Sequence, residues 1–178
     1  MKILITGVGS TGKSTLRRLL VKACRSIGIR TEHYDADDFQ KPRCSEDADS
    51  RRPESFRDDV LYIIEDVRGP VPGKAFLPIS DYDGIIYVMP GPISNLMFWL
   101  PRAWRWYQKG KFDWDRNTGW RGIQKSYDVR NIAPIMKRLA RYMRRRKEWI
   151  KEDLVAISGK PHLIIKSVWS PKGIRWKI

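Results

Sequence analysis

Residues 7–14 read Gly-Val-Gly-Ser-Thr-Gly-Lys-Ser, so a lysine and a hydroxyl group follow directly after a glycine-rich loop. The apolar run Ile3–Ile5 precedes the loop, and an amphipathic stretch that begins near Leu16 follows it. A strand, a glycine loop and a helix in that order let backbone N–H groups and a helix N-terminus surround a phosphate. A glycine turn without function is the alternative. The strand and the helix around the loop favour a phosphate-binding loop that holds a nucleoside triphosphate.

Each residue type in this loop has an expected role. The glycines let the backbone approach a phosphate, Lys13 reaches the β- and γ-phosphates and assists catalysis, and the Ser14 hydroxyl binds Mg²⁺. We expect Lys13 to face solvent in the free protein. The expected nucleotide-binding residues are Gly7, Gly9, Ser10, Thr11, Gly12, Lys13, Ser14 and Thr15.

The apolar patterns predict strands that alternate with helices, which is typical of a parallel sheet covered on both faces. In the first helix, Leu16, Leu19, Leu20, Ala23 and Ile27 are expected to form the buried face, and Gly28 to end the helix. The predicted strands cover 29–34, 60–64, 84–89 and 162–168, the last of these closing the sheet, and further helices cover 93–107 and 131–154.

Length and composition fit one α/β domain that spans 1–178. No apolar run reaches the roughly 18 residues of a membrane span, and the first strand starts so near Met1 that we expect no signal peptide and no membrane partner. Cys24 and Cys44 form no metal-binding pattern. We therefore expect reduced thiols and a cytoplasmic location.

Positive charge is concentrated in one part of the chain. The net charge is +15, and residues 101–150 hold 15 Lys and Arg against 4 Asp and Glu. Such a region indicates a polyanionic partner, which is either the phosphates of the nucleotide or a nucleic acid.

Two acidic clusters follow predicted strands, at the edge of the sheet where ligands bind in such folds. The first is Asp35-Ala36-Asp37-Asp38-Phe39, and the second is Glu65-Asp66 with Arg68 close behind. The first could also be a turn that caps a helix, because Asp is common at helix N-termini. The second could be a strand-end carboxylate paired with a nearby arginine.

With these motifs the chain resembles the P-loop kinases of small molecules and nucleoside monophosphates. The resemblance implies a three-layer α/β/α P-loop fold with a mainly parallel sheet. It also implies that Asp37 is the catalytic base for an acceptor hydroxyl and that Asp35 assists Mg²⁺. Asp38 is then expected near the acceptor, Asp66 near Mg²⁺ as the Walker B carboxylate, and Arg68 near an acceptor phosphate.

Residues 93–130 are rich in Trp and Arg and occupy the place of the mobile lid and acceptor region in those kinases. Arg102 and Arg105 lie three residues apart on the predicted helix, so both could reach one transferring phosphate and act in catalysis. Nucleic-acid binding, with bases stacked on tryptophans, is a second interpretation. A helix with a buried apolar side and a solvated basic side is a third.

The long helix that begins near Asn131 has its own basic surface. Ile132, Ile135, Met136, Leu139 and Met143 are expected to pack, with Lys137, Arg138, Arg141, Arg144 and Arg145 pointing away. The run Arg144-Arg145-Arg146-Lys147 is expected either to be solvated or to bind phosphates of nucleic acid.

A second resemblance competes with the kinase interpretation. Asp66-Val67-Arg68-Gly69 fits the D-x-x-G of small GTPases, and Asp83–Val88 is similar to the strand that follows it there. No N-K-x-D motif for reading guanine is present, and Ser158-Gly159-Lys160 matches the later guanine-contact turn only loosely. The sequence therefore favours an ATP- and Mg²⁺-dependent kinase with a small acceptor, such as a nucleoside or nucleotide. GTP as the donor and a nucleic-acid-associated or GTPase-like NTPase are the alternatives.

Overall fold

The computed structural model describes residues 1–9, 11–36, 55–66, 76–108 and 132–178; the side chains of 102–108 and 132–139 lie outside the description. No helix in the described part of the chain is long and apolar enough to cross a membrane. The elements, in chain order, are β1 (Lys2–Thr6), α1 (Lys13–Ser26), β2 (Thr31–Asp35), β3 (Leu61–Glu65), a 3₁₀ turn (Ile79–Asp81), β4 (Gly84–Pro90), α2 (Pro92–Gln108), α3 (Ile132–Ile157), β5 (His162–Ser170) and β6 (Gly173–Lys177).

The sheet is mixed and mostly parallel, which confirms the predicted fold class at the level of an α/β protein. Its strand order is β2-β3-β1-β4-β5-β6. Strands β1 to β5 run parallel, and β6 pairs antiparallel with β5. The chain leaves β1 for β2 and β3 on one side and reaches β4 and β5 on the other. In such sheets ligands bind at this switch point, beyond the carboxyl ends of the strands.

Hydrophobic side chains cover both faces of the sheet, because successive residues of a strand point to opposite sides. On one face the packed set includes two residues of α1, and on the other it includes the last residue of α3. The first set is Ile5, Leu16, Val21, Ile63, Val88 and Ile165. The second set is Leu4, Ala36, Ile64, Phe76, Leu77, Tyr82, Ile85, Tyr87 and Ile157.

The predicted buried face of α1 is partly wrong. Leu16 is buried as expected, but Leu19 is 50% and Ile27 is 73% exposed, whereas Val21 is buried. The helix begins at Lys13, and its side facing the sheet contains Lys13, Leu16 and Leu20. Because these residues occupy that side, Leu19 points towards solvent. Ile27 lies beyond the last helical residue, Ser26.

The C-terminal end of the sheet also differs from the prediction. The strand expected at 162–168 is present as β5, but it is not the last strand. The chain turns back at residues 171–172, and β6 pairs with β5 from Ser170↔Gly173 to Lys166↔Lys177. Only Ile174 and Trp176 carry the apolar alternation of β6, and this five-residue pattern is too short to be distinctive. The other predicted strands and helices are present with shifted ends, and Asn131 lies outside the described residues.

Gly7, the first residue after β1, lies against the backbone of β4. Its φ is +127°, and a Cβ added there would lie 2.3 Å from the carbonyl oxygen of Val88. A side chain at this position would force two strands apart, because the obstructing atom belongs to the backbone. The close contact fixes where the loop leaves the sheet.

The Gly7→Ala variant should therefore lose more than about 2 kcal/mol of unfolding free energy, because a strained φ and a backbone clash add. Gly9→Ala is the matched control, since nothing lies within 4 Å of a Cβ at Gly9. It should stay within about 0.5 kcal/mol of wild type. Urea unfolding of the three proteins measures the difference. Equal stability of the two variants would contradict the packing of Gly7 on β4.

Candidate phosphate-binding site

Lys13, the first residue of α1, is held by several residues of the loop that follows β1. Its side chain is only 4% exposed. Its Nζ donates to the carbonyl oxygens of Gly7 and Val8, each at 2.9 Å, and to Oγ1 of Thr11 at 3.4 Å. The expectation that Lys13 faces solvent is therefore wrong. A buried ammonium group requires acceptors in place of water, and the loop supplies three from its own oxygens.

The N-terminus of α1 could stabilise a negatively charged group. Gly12 precedes the helix in the left-handed conformation, with φ +86°, and contributes no capping side chain. Its carbonyl oxygen accepts the first helical hydrogen bonds, from N–H of Thr15 and Leu16, each at 3.0 Å. The first turn contains no acidic residue. The positive end of the helix is thus left without a carboxylate of its own, the arrangement that favours a bound phosphate.

The C-terminal hairpin packs against this end of α1. A Cβ at Gly12 would lie 2.7 Å from Cδ1 of Ile174 and 3.2 Å from the ring of Trp176. Gly12 is therefore required both by its backbone conformation and by the nearness of β6. The position of the loop depends on a strand that the sequence did not predict.

Glu65 is the carboxylate that reaches the loop. Ser14 Oγ donates to Glu65 Oε1 at 2.7 Å, and Arg17 Nε lies 3.1 Å from Oε2 of the same residue. Asp35 lies opposite Glu65 in the parallel pairing of β2 and β3, and its Oδ2 is 3.8 Å from Arg17. Three predicted elements, the loop serine and the ends of two strands, thus meet around one arginine.

The sequence singled out Asp66 for this place, and the structure places it differently. Asp66 is 1% exposed, and its Oδ2 accepts a hydrogen bond from the backbone N–H of Phe76 at 2.8 Å. Alternation along β3 gives the reason: Ile63 packs on the α1 side with Leu16, and Glu65, two residues on, shares that side. The sequence alone does not show this, because the apolar run 60–64 is continuous and does not distinguish the two faces of β3.

Burial sets the electrostatics of Glu65. Loss of hydration raises the pKa of its carboxyl group, and the negative charge of Asp35 acts in the same direction. The hydrogen bond from Ser14 and the positive charges of Lys13 and Arg17 lower the pKa, but they do not cancel the effect of burial. An additional positive charge beside Glu65 would therefore favour its ionised form.

The oxygens of Ser14, Glu65 and Asp35 fit a magnesium ion in part. Mg²⁺ prefers oxygen ligands and is usually bound by one or two carboxylates together with substrate phosphates and water. Among the described residues, no group of three His, Cys, Asp or Glu side chains could hold a metal without further ligands. The protein groups here thus suit a metal that arrives with a phosphate rather than one held by protein alone.

The carbonyl oxygen of Gly9 connects the loop to two helices. It accepts hydrogen bonds from Asn95 Nδ2 of α2 at 2.9 Å and from the Tyr142 hydroxyl of α3 at 2.8 Å. Asn95 is 1% exposed. Neither residue was predicted as part of the site, because an asparagine and a tyrosine within helices carry no motif. The loop is thus fastened to the helices on both sides of 109–131.

Several predicted site residues cannot be located. Ser10, Asp37, Asp38 and Arg68 lie outside the described residues. Arg102 and Arg105 belong to α2, but their side chains lie outside the description. The proposed base and lid thus stay predictions.

On α3 the basic side chains divide into two groups. Arg141, Arg144 and Arg145 are exposed, as predicted, whereas Arg146 is buried. Solvation of the whole run Arg144–Lys147, one of its two expected states, is therefore wrong at Arg146. This residue shares a helix side with Ile150 and Ile157, which lie four and eleven residues further on and pack towards the sheet.

Comparison with known proteins gives no family: no protein-family model and no curated protein matches the chain.

The raised pKa of Glu65 predicts how stability changes with pH. In the native state Glu65 keeps its proton to a higher pH than in the unfolded state, so the native state binds more protons in that interval. Stability contributed by Glu65 is therefore present below its unfolded pKa and is lost as pH rises through the native pKa. Chemical unfolding from pH 4 to 7 should show wild type losing stability relative to Glu65→Gln.

Glu148→Gln is the control, because Glu148 is an exposed carboxylate paired only loosely with Arg145 at 3.7 Å. Its stability should follow that of wild type across the same pH range. A wild-type protein that gains stability relative to Glu65→Gln with rising pH would contradict the dominance of burial at Glu65.

Proposed function

We propose that this protein is an ATP- and Mg²⁺-dependent phosphotransferase with a three-layer P-loop kinase fold. It transfers the γ-phosphoryl group to a small acceptor such as a nucleoside or nucleotide. The single observation that carries the proposal is the loop of residues 7–14. It combines a buried Lys13, an N-terminus of α1 without acidic residues and a Ser14 hydroxyl 2.7 Å from Glu65.

The position of this loop supports a phosphate site. It follows the central strand β1, whose neighbours β3 and β4 lead to opposite sides of the sheet. A triphosphate in the loop would offer oxygens to Lys13 in place of the carbonyl groups of Gly7 and Val8. The ammonium group would then neutralise phosphate charge while staying buried, where its electrostatic effect is larger than in water.

Ser14 and Glu65 would hold the magnesium ion, with Asp35 next to them on β2. When bound with the nucleotide, Mg²⁺ supplies positive charge that neutralises the phosphates. Arg17 holds the carboxylates of Glu65 and Asp35 near each other through its ion pairs at 3.1 and 3.8 Å. In the proposed reaction Arg17 is thus a positioning residue.

The acceptor side of the proposal depends on residues known only from the sequence. Asp37 is the proposed base for the acceptor hydroxyl, with Asp38 and Arg68 near the acceptor. Arg102 and Arg105 are proposed to close over the phosphate from α2. ATP is the proposed donor and GTP the alternative, since no motif in the sequence distinguishes adenine from guanine.

A nucleic-acid-associated NTPase is the second candidate. The observation that favours it is the exposed basic surface of α3, which contains Arg141, Arg144 and Arg145. The GTPase-like variant receives less support, because the Asp66 carboxylate of its D-x-x-G motif is buried and bonded to the backbone of Phe76.

A screen of candidate acceptors with γ-labelled ATP and Mg²⁺ tests the proposal. The expected result is label in an acceptor, whose chemical class the product identifies. Label found only as free phosphate would replace the kinase with an NTPase. The same assay with and without single-stranded RNA or DNA at physiological salt then tests the second candidate, because stimulation by nucleic acid would support it.

Lys13→Met should reduce transfer by about 10²-fold or more, because one positioned charge is lost from the transition state. Methionine keeps an unbranched apolar stem in the buried space, so thermal unfolding should show a folded protein. The matched control is Lys22→Met, an exposed lysine of the same helix, which should retain wild-type transfer and ATP affinity. Unchanged turnover of Lys13→Met would overturn the proposed function.

A further inference from the structure

Arg146 of α3 is a buried cation in a run of exposed ones. Its relative exposure is 6%, whereas the side chain of its neighbour Arg145 is 58% exposed and ion-paired with Glu148. Both residues are arginines in the same helical turn. Their different surroundings therefore come from the side of the helix on which each lies.

No acidic side chain in the described part of the chain neutralises Arg146. Its guanidinium donates through one terminal nitrogen to the carbonyl oxygen of Pro90. Among the described residues, no carboxylate lies within ion-pair distance of it, and its buried Nε has no hydrogen-bond partner. Asp153, two turns further along α3, accepts a hydrogen bond from Tyr87 at 2.8 Å instead.

Such a group is costly to the folded protein. A buried charge is ordinarily paired, because the interior replaces little of the hydration that the ion loses. A single neutral carbonyl oxygen compensates a guanidinium with five N–H donors only in part. The uncompensated charge therefore points to an anion as its partner.

The contacts of neighbouring residues place Arg146 beside the glycine loop. Tyr142, one helical turn earlier on α3, donates to the carbonyl oxygen of Gly9. Pro90, the partner of Arg146, ends β4 two residues after Val88, on which Gly7 packs. The guanidinium thus lies at the carboxyl edge of the sheet, between the end of β4 and the helix that holds Gly9.

We propose that Arg146 is a second anion position next to the loop and that it binds a phosphoryl oxygen. This inference rests on the proposed function. It assigns phosphate binding within the site to a residue whose basic run was expected either to be solvated or to bind nucleic-acid phosphates. The oxygen belongs either to the terminal phosphate of a nucleotide in the loop or to a phosphate of the acceptor. The planar guanidinium suits both, because its paired N–H groups match two oxygens of one phosphate.

The test compares thermal unfolding of wild type, Arg146→Gln and Arg145→Gln. Glutamine removes the charge at 146 but keeps an N–H donor for Pro90. The free Arg146→Gln protein should melt at a higher temperature than wild type, because an uncompensated buried charge is gone. Arg145→Gln removes the same charge from an exposed site and should melt like wild type. If Arg146 only joins α3 to β4, Arg146→Gln should instead lower the melting temperature.

Binding is measured in the same proteins with inorganic tripolyphosphate, ADP and ATP. If Arg146 binds the terminal phosphate of the nucleotide, Arg146→Gln should bind tripolyphosphate and ATP about tenfold more weakly, with ADP binding unchanged. If Arg146 instead binds a phosphate of the acceptor, ATP and ADP binding should both be unchanged. In that case inorganic phosphate would stabilise wild type saturated with a non-hydrolysable ATP analogue, but not Arg146→Gln.

Identical binding of all four anions by Arg146→Gln and Arg145→Gln would overturn the inference. If Arg146→Gln does not fold, Arg146→Lys replaces it: weaker tripolyphosphate or phosphate binding than wild type supports the inference, and equal binding of both contradicts it. Suppose that ATP binding is lost in Lys13→Met, whereas Arg146→Gln keeps the binding of both ATP and phosphate. The inference about Arg146 is then wrong, and the proposed function stands. If instead tripolyphosphate binds in a way that depends on Arg146 but ATP does not bind, the inference stands and the proposed function is wrong.

Discussion

The buried ammonium group of Lys13 is the interaction on which the geometry of the site depends. Its hydrogen bonds to Gly7, Val8 and Thr11 close the chain on itself between β1 and α1. A charge at this depth needs acceptors in place of water, and in the free protein these oxygens supply them. The loop conformation, the start of α1 and the placement of Ser14 beside Glu65 are therefore parts of one arrangement.

The sheet provides the frame for that arrangement. β1 lies between β3 and β4, so the residues after it meet Glu65 on one side and the backbone of Val88 on the other. The helices add further contacts through Gly9, which binds Asn95 and Tyr142. As a result, both α2 and α3 contact the loop through hydrogen bonds to a single carbonyl group.

The parts of the structure that could be predicted from the sequence depend on local patterns. The glycine loop is one, since its conformation follows from residue types at fixed spacing. The strands and helices are others, because their apolar periodicity extends over several residues. The choice between Glu65 and Asp66 is different, because alternation along β3 selects Glu65 only once the structure shows that Ile63 packs with Leu16.

Other features leave no pattern in the sequence. Lys13 is buried because oxygens of its own loop, on Gly7, Val8 and Thr11, turn towards it. Leu19 is exposed because the start of α1 sets which side faces the sheet. Arg146 has the same residue type as its exposed neighbour, and only its packing against the end of β4 separates the two. No motif predicts such a difference.

The most direct test of the central claim is a crystal structure of the protein with Mg²⁺ and a non-hydrolysable ATP analogue. We expect the triphosphate in the loop of residues 7–14, with Lys13 Nζ moved from the carbonyl oxygens of Gly7 and Val8 to phosphate oxygens. Lys13 unchanged on those carbonyl oxygens, with the triphosphate bound elsewhere or not bound, would contradict it.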